Sequence, residues 1–424
     1  MNILPYISYL FIVLTKPCHA QDDGFCLIDK GCLLNQTFLF YQVHDGEGFN
    51  LHRDVFMRMA ETVLHLKENG DQRKLVLPPW NRLPHWTASE NNTRLPWNTF
   101  FNVENMKKVV PVIEFQDFLG SNTPSIDLLL ILNFFPDSLE DSDFRDDYLI
   151  NECSNQDLEE NGFHEEGSSI RGFLSYGSGL IIHKAKCMLF EGTSNTLSRA
   201  ISSGLLKSYH SIMVLNAEVV LHENYGSVQF WEIRRSMTLS HQLVSIANNF
   251  LKRLTYNEEE EIEEVITADG EAKTINNNKK NGLRFVGVHL RRGDFARYRV
   301  KNVPSIECAA EQIIAVLKSN QIKRLFVATD ATRQEINSLL EYLKSNNDSD
   351  KTSIQVYFFA EISSLESHFS SKLLDGQKAI IDQWICAQAS IFIGRYFTRH
   401  FKSTISKYIS SVFDVNIIQL NILC

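Results

Sequence analysis

Cysteine is scarce: eight in 424 residues, with no two in a C-x-x-C pair. That count excludes a disulfide-stapled mini-scaffold and leaves room for one or two bridges in a larger domain. It also argues against a thiolate zinc site. Basic charge is in deficit, since 51 acidic residues against 42 basic ones give a net charge of −9. A nucleic-acid binder carries the opposite excess. Long apolar runs are missing as well. The run over residues 6–14 is too short to span a bilayer comfortably, and no second candidate exists. There is no P-loop, no H-E-x-x-H and no G-x-S-x-G elbow. What is present is ordinary for a folded protein: 44% apolar and 22% charged residues, which excludes wholesale disorder and fibrous repeats. The length suits two domains, or three.

The N-terminus reads as an address. Residues 6–14 have the length of a signal-peptide apolar region, and Cys18-His19-Ala20 offers small residues before polar Gln21-Asp22-Asp23. We read 1–20 as a secretory signal cut after Ala20, leaving a soluble mature protein. Asn-x-Ser/Thr triplets at Asn35, Asn91 and Asn347 fit a glycosylating compartment. In an oxidising lumen Cys153 and Cys187, which flank a polar Gly-containing stretch, are candidates for a bridge. Cys386, inside the apolar run 380–393, reads as a buried thiol. Cys26, Cys32, Cys308 and Cys424 have no assigned pairing.

Apolar patterning organises the rest. Residues 38–43 read as a strand, 51–66 as a helix, 75–77 and 109–113 as strands, and 115–119 as the start of another element. The acidic segment 136–170 reads as loop, and 229–255 as one helix. The charged and Asn-rich stretch 256–282 reads as a solvated insertion. Alternation then resumes: strand 284–290, helix 305–318 with Ser305 as its cap, strand 324–329, helix 335–343, strand 354–358, helix 378–389 and strand 390–393. Such β-α-β alternation predicts an α/β fold with parallel sheets, built as two Rossmann-like halves facing across a cleft. Ligands of such sheets bind at the carboxyl ends of strands.

Three places carry chemistry. Asp45-Gly-Glu-Gly-Phe-Asn50 joins a strand to a helix, with Gly46 and Gly48 freeing the backbone around Glu47. It lacks the third glycine of a dinucleotide fingerprint. Glu47 is either a general base at a strand's carboxyl end or an exposed turn residue. Val288-His-Leu-Arg-Arg-Gly-Asp294 ends a strand, with His289 and Arg291 expected on one face and Arg292 on the other. These cations either hold a diphosphate or pair with local acids such as Asp294. Asp382, near the expected start of a helix, is either a cap or a carboxylate that reads a base. Asp141-Ser-Asp143 and Asp348-Ser-Asp350 match a metal–nucleotide D-x-D, but both sit in polar loops with no strand before them.

Several blocks, in order, resemble the protein O-fucosyltransferase family. They are Gly46-Glu-Gly-Phe-Asn-Leu-His-Arg-Asp54, Leu77-Pro-Pro-Trp80, His85-Trp86, Trp231 with Arg234-Arg-Ser-Met237, Gly287-Val-His-Leu-Arg-Arg292, Val327-Ala-Thr-Asp330 and Ala379-Ile-Ile-Asp-Gln-Trp-Ile-Cys386. The resemblance runs from about residue 38 to Gly394, and closest to it is the branch that modifies thrombospondin type 1 repeats. It implies a GT-B fold, with an N-terminal acceptor-side domain over 21–242 and a donor-binding domain over 243–424. It implies a monomeric enzyme of the endoplasmic reticulum that moves fucose from GDP-fucose to Ser or Thr of folded repeats. The displacement would invert the anomeric centre, with no metal or cofactor at the active centre. By the same resemblance Glu47 is the base, and Gly46, Glu47, Gly48, Phe49 and Asn50 contact the donor. His289 and Arg291 hold the diphosphate, Leu290 is a further donor-binding residue, Asp382 reads the guanine, and Cys153 and Cys187 form a disulfide.

The tail, 395–424, departs from the family. Eight residues, Arg395 to Lys402, precede Ser403-Thr-Ile-Ser406, so that Ser403 and Thr404 stand as equivalents of the family's donor-phosphate residues. Ser410-Ser-Val-Phe413 replaces a Glu/Arg-rich stretch. The departure sets a second reading beside the first: a catalytically impaired protein that binds thrombospondin repeats or monitors their quality.

Overall fold

A computed structural model describes residues 36–44, 46–81, 83, 94–119, 125–136, 144–172, 174–177, 180–255, 284–298, 303–345, 354–359, 373–394 and 416–419. The signal, the acceptor residues Asn35, Asn91 and Asn347 of the glycosylation triplets, Cys26, Cys32, Cys424, the insertion 256–282, both D-x-D pairs, His85-Trp86, Ser403 and Thr404 lie outside them.

The alternation of apolar segments builds two mainly parallel sheets. The first contains β1 (Phe38–Tyr41), β2 (Lys74–Leu77), β3 (Val112–Glu114), β4 (Ser125–Asn133), β5 (Asp147–Glu152), β6 (Phe163–Glu166), β7 (Ser169–Gly172), β8 (Ile181–Glu191) and β9 (Ser211–Leu215). Its order is β3-β2-β1-β9-β4-β8-β7-β6, with β5 also pairing β8. The strands from β3 through β8 are parallel, whereas β5, β6 and β7 pair antiparallel. The second sheet has order β12-β11-β10-β13-β14, from β10 (Val286–Leu290), β11 (Arg324–Thr329), β12 (Gln355–Tyr357), β13 (Ile391–Gly394) and β14 (Asn416–Gln419). All its pairs are parallel.

Helices lie between the strands. They are α1 (Phe49–Glu68), α2 (Val103–Lys107), α3 (Phe115–Leu119), α4 (Asn155–Glu160), α5 (Ser194–Ser202), α6 (Val228–Ser236), α7 (His241–Thr255), α8 (Gly293–Tyr298), α9 (Ile306–Asn320), α10 (Arg333–Ser345) and α11 (Asp375–Ala387). Ser305 caps α9 by accepting from the Cys308 amide, as its position predicts.

The structure corrects three expectations. The acidic segment 136–170 is not all loop, for it contains β5, α4, β6 and β7. These elements are polar on their outer side, so the apolar pattern is diluted. Residues 229–255 form two helices, α6 and α7, separated at Met237–Ser240. A bridge of Leu239 to Phe101 pulls the chain out of the helical path there. The strand expected over 109–113 is shifted to Val112–Glu114.

Residues from Thr37 onward cluster as one unit. Strand alternation in the second sheet splits its residues between two cores. Val286, Val288, Leu290, Leu325 and Val327 face α9 and α10. Phe326 and Ala328 face the other way and join a core that continues into the first sheet through α7 and α11. Phe250 of α7 meets Phe326 and Phe359 edge-on at centroid distances of 5.5 and 5.6 Å.

Candidate active site

In each sheet the strand order reverses beside the strand that leads to a candidate residue. In the first sheet the chain steps from β1 outward to β2 and β3, then returns to place β9 on the other side of β1. In the second it steps from β10 to β11 and β12, then returns to β13. The crevice at the carboxyl ends beside such a reversal is where α/β sheets take ligands. β1 delivers the Glu47 loop, and β10 delivers His289 and Arg291.

The Glu47 loop is short and braced. Gly46 has φ +105°, a region that favours glycine. Gly48 is extended at φ −83° and serves as the N-cap position of α1, so only the first of the two glycines is demanded by the backbone. Glu47 is half-buried. Its amide donates to the His44 carbonyl at 3.3 Å, and the His52 ring donates to the Glu47 carbonyl. Burial holds His52 down at about 4, with the Glu47 bond opposing weakly, so His52 is neutral at physiological pH. Phe49 is stacked into an aromatic cluster, 4.7 Å from Trp80 and 5.9 Å from Phe101. Asn50 lies in the first turn of α1, and its buried Oδ1 has no hydrogen-bond partner.

Glu218 is a neighbour the sequence reading missed. It accepts from the His44 amide at 3.2 Å. Burial raises its pKa, bonds from nearby amides oppose, and the Glu47 charge adds to the rise. The signal was the run Ser211–Leu215, a buried strand whose carboxyl end must lie beside that of β1.

In the second sheet Leu290 turns its side chain into the core, and its carbonyl accepts from Thr329 Oγ1 at 2.6 Å. β10 ends there, so the alternation expected through Arg292 stops. His289 is on the face that meets α11, and burial holds it down at about 4; Asp330 opposes and Arg291 assists. Arg291 Nη1 pairs with Asp330 Oδ2 at 2.7 Å. Arg292 pairs with Glu335 at 2.7 Å. The partner acids are thus Asp330 and Glu335; the Asp294 side chain lies outside the described residues.

Asp382 sits in the middle of α11, seven residues after its first, so it is neither cap nor partner of the helix start. Gln377 closes the N-terminus instead, accepting from the Leu374 amide at 3.1 Å. A Cβ on Gly287 would lie 3.0 Å from Ala389 Cβ and 3.3 Å from Cys386 Cα, so β10 and α11 are in close contact there. Two residues along the strand and four back along the antiparallel helix are nearly equal distances. Asp382 therefore comes level with His289 at the sheet's carboxyl edge. Its Oδ1 is buried and has no partner, and burial lifts its pKa to about 8. A hydrogen bond of 3.5 Å from Gln377 to the Thr99 carbonyl ties the start of α11 to the chain beneath the Phe49 cluster.

Cys153 and Cys187 are joined by a disulfide, and Cys308 is also disulfide-bonded. Cys386 is free and buried. Among the described residues no cluster of three His, Cys, Asp or Glu is placed to hold a metal ion, and no helix is long and apolar enough to cross a membrane.

Comparison with known proteins decides the lineage. The sequence profile of GDP-fucose protein O-fucosyltransferase matches residues 38–410. This chain belongs to that family. It is 35% identical over 361 residues to GDP-fucose protein O-fucosyltransferase 2 of Caenorhabditis elegans, covering 85% of this chain and 80% of the relative. To the Homo sapiens protein of the same name it is 32% identical over 403 residues, covering 92% and 89%. The crystal structure of POFUT1 in complex with GDP superimposes with a TM-score of 0.52 at 15% identity, over 92% of this chain and 99% of that one. At that identity the likeness speaks to the fold, a GT-B arrangement with two mainly parallel sheets. As an O-fucosyltransferase family member the chain is a glycosyltransferase, and the match spans Ser403 and Thr404.

Proposed function

We propose that this chain transfers fucose from GDP-fucose to a Ser or Thr hydroxyl of folded thrombospondin type 1 repeats, in the lumen of the endoplasmic reticulum. The acceptor-side domain is 21–242 and the donor domain 243–424, in a monomer that needs no metal at the active centre. The observation that carries the reading is Asp382. A buried carboxylate oxygen without a partner is costly, and the rises of strand and helix set it level with His289 at the carboxyl edge. Guanine offers an N1–H and an exocyclic amine, two donors on one edge, which a carboxylate satisfies together.

Glu47 takes the proton of the acceptor hydroxyl as that oxygen attacks the anomeric carbon. GDP leaves from the opposite face, so configuration inverts. Arg291 offers its fork to the departing diphosphate. His289, neutral at physiological pH, contributes a hydrogen bond rather than a charge. Asn50 offers an acceptor to a sugar hydroxyl, and by the family resemblance Ser403 and Thr404 contact the donor phosphates.

The test is transfer by the full chain from GDP-fucose to a folded repeat. Glu47→Ala is expected to lower kcat by at least about 10²–10⁴-fold while GDP binding persists. Transfer at an unchanged rate removes Glu47 as base. One observation favours a second reading: Ser410-Ser-Val-Phe413 stands where the family carries Glu and Arg. A chain that binds the repeat but takes up no GDP-fucose in calorimetry is the impaired, repeat-binding protein.

A further inference from the structure

The carboxyl end of β11 brings an anion of the protein's own to the candidate diphosphate site. Asp330 follows β11 directly. Its Oδ2 lies 2.7 Å from Arg291 Nη1, and its Oδ1 accepts from the Arg292 amide at 2.5 Å. The third neighbour is the bare α-carbon of Gly293, where an added Cβ would lie 2.5 Å from Oδ2. Guanidinium, backbone amide and glycine are the features with which loops hold phosphate oxygens. Here they hold a carboxylate.

Arg291 is the more open of the two cations, its side chain 27% exposed against 13% for Arg292. Arg292 is committed: its Nε and Nη2 reach Glu335 at 2.8 and 2.7 Å, and its Nη1 donates to the Pro304 carbonyl at 2.6 Å. Thr329 Oγ1 donates to the Leu290 carbonyl and accepts from the Ala331 amide at 3.1 Å, which fixes where both strands end. Arg291 and Asp330 therefore leave the sheet side by side. Their side chains are 27% and 32% exposed, open enough for a ligand to reach and for a pair of modest strength to exchange.

We propose that Asp330 is the resting counter-anion of Arg291 and holds the guanidinium where the donor's diphosphate takes it over, so that donor binding and GDP release are exchanges of one anion for another. The inference rests on the donor reading above. It gives Asp330 a positioning role exercised through Arg291. Without it, the donor-free site would lose the acid that pairs with the Arg291 guanidinium. With it, the departure of GDP is assisted by a carboxylate that recloses the pair.

Asp330→Asn separates exchange from a fixed structural pair. The amide keeps an oxygen for the Arg292 N–H and removes the competing charge. By calorimetry with the full chain, the variant is expected to bind GDP roughly two- to fivefold more tightly, the range of a partly exposed ion pair. Its affinity should also fall more steeply with salt, since the pair with Asp330 is no longer broken to offset the one that forms. A fixed pair predicts weaker binding and an unchanged salt slope. A second measurement serves if the variant does not fold: a crystal structure of the wild type with GDP. Arg291 Nη1 and Asp330 Oδ2 more than about 4 Å apart supports exchange, and retention of the resting pair overturns it. A wild type that binds no GDP overturns the donor reading and this one with it. A wild type that binds GDP beside an Asp330→Asn chain that binds no tighter overturns the exchange alone.

Discussion

Asp382 holds its proton because burial disfavours the ionised form. Burial lifts its pKa from 3.8 to about 8, so the donor-free protein carries it neutral through physiological pH. Accepting two hydrogen bonds from guanine favours the carboxylate. GDP uptake near pH 7 is therefore expected to release close to one proton, read from binding enthalpies in buffers of different ionisation heat. The stability sign follows from linkage. Between about pH 4 and pH 8 the native state holds a proton that the unfolded chain has lost, so this group's contribution falls as pH rises through that window. Asp382→Asn removes that slope. It is expected to stabilise the donor-free chain at pH 8 by roughly 1–3 kcal/mol and to weaken GDP binding. A variant less stable than the wild type at pH 8 contradicts the assignment.

At the scale of elements, α1 is held at its place by a buried ionic clamp. His222 lies between Asp54 Oδ1 at 3.1 Å and Glu61 Oε2 at 3.3 Å. Arg58 of the same helix donates to Asp54 and to the Glu218 and Val220 carbonyls. Burial pulls the His222 pKa down, but the two carboxylates together raise it above 6.5. Its ionic contribution is complete below 6.5 and is lost as pH rises through the raised value. His222→Ala should cost about 3 kcal/mol near pH 6 and progressively less at alkaline pH, measured by urea unfolding. An undiminished cost at high pH would contradict a charged clamp. On the far side of the sheet, the disulfide ties the end of β5 to β8 across a sequence separation of 34. Replacing both Cys153 and Cys187 by Ser should lower stability by about 2–4 kcal/mol.

At the scale of the whole molecule, the core continues from the first sheet to the second through α7 and α11. We expect residues from Thr37 onward to unfold in a single transition, and Phe250→Ala to lower that transition by about 3–5 kcal/mol. Two resolved transitions, with only one moved by the substitution, would show that the sheets unfold independently.

What the sequence determined by itself is the local layer. Periodicity located β1, α1 and the whole run from β10 to β13, because a two-sided buried strand and a one-sided helix leave distinct apolar patterns. The named blocks marked the Glu47 loop, the His289–Arg291 turn and Asp382. Where outer faces are polar, as in β5 through β7, the pattern thins and the elements were lost. Partnership was decided only by the tertiary structure. That Arg291 meets Asp330, that Asp382 sits in mid-helix level with His289, and that Glu218 stands beside Glu47 are all consequences of strand order. A parallel sheet sets side by side the carboxyl ends of strands far apart in the chain, and no local pattern records which ends those are.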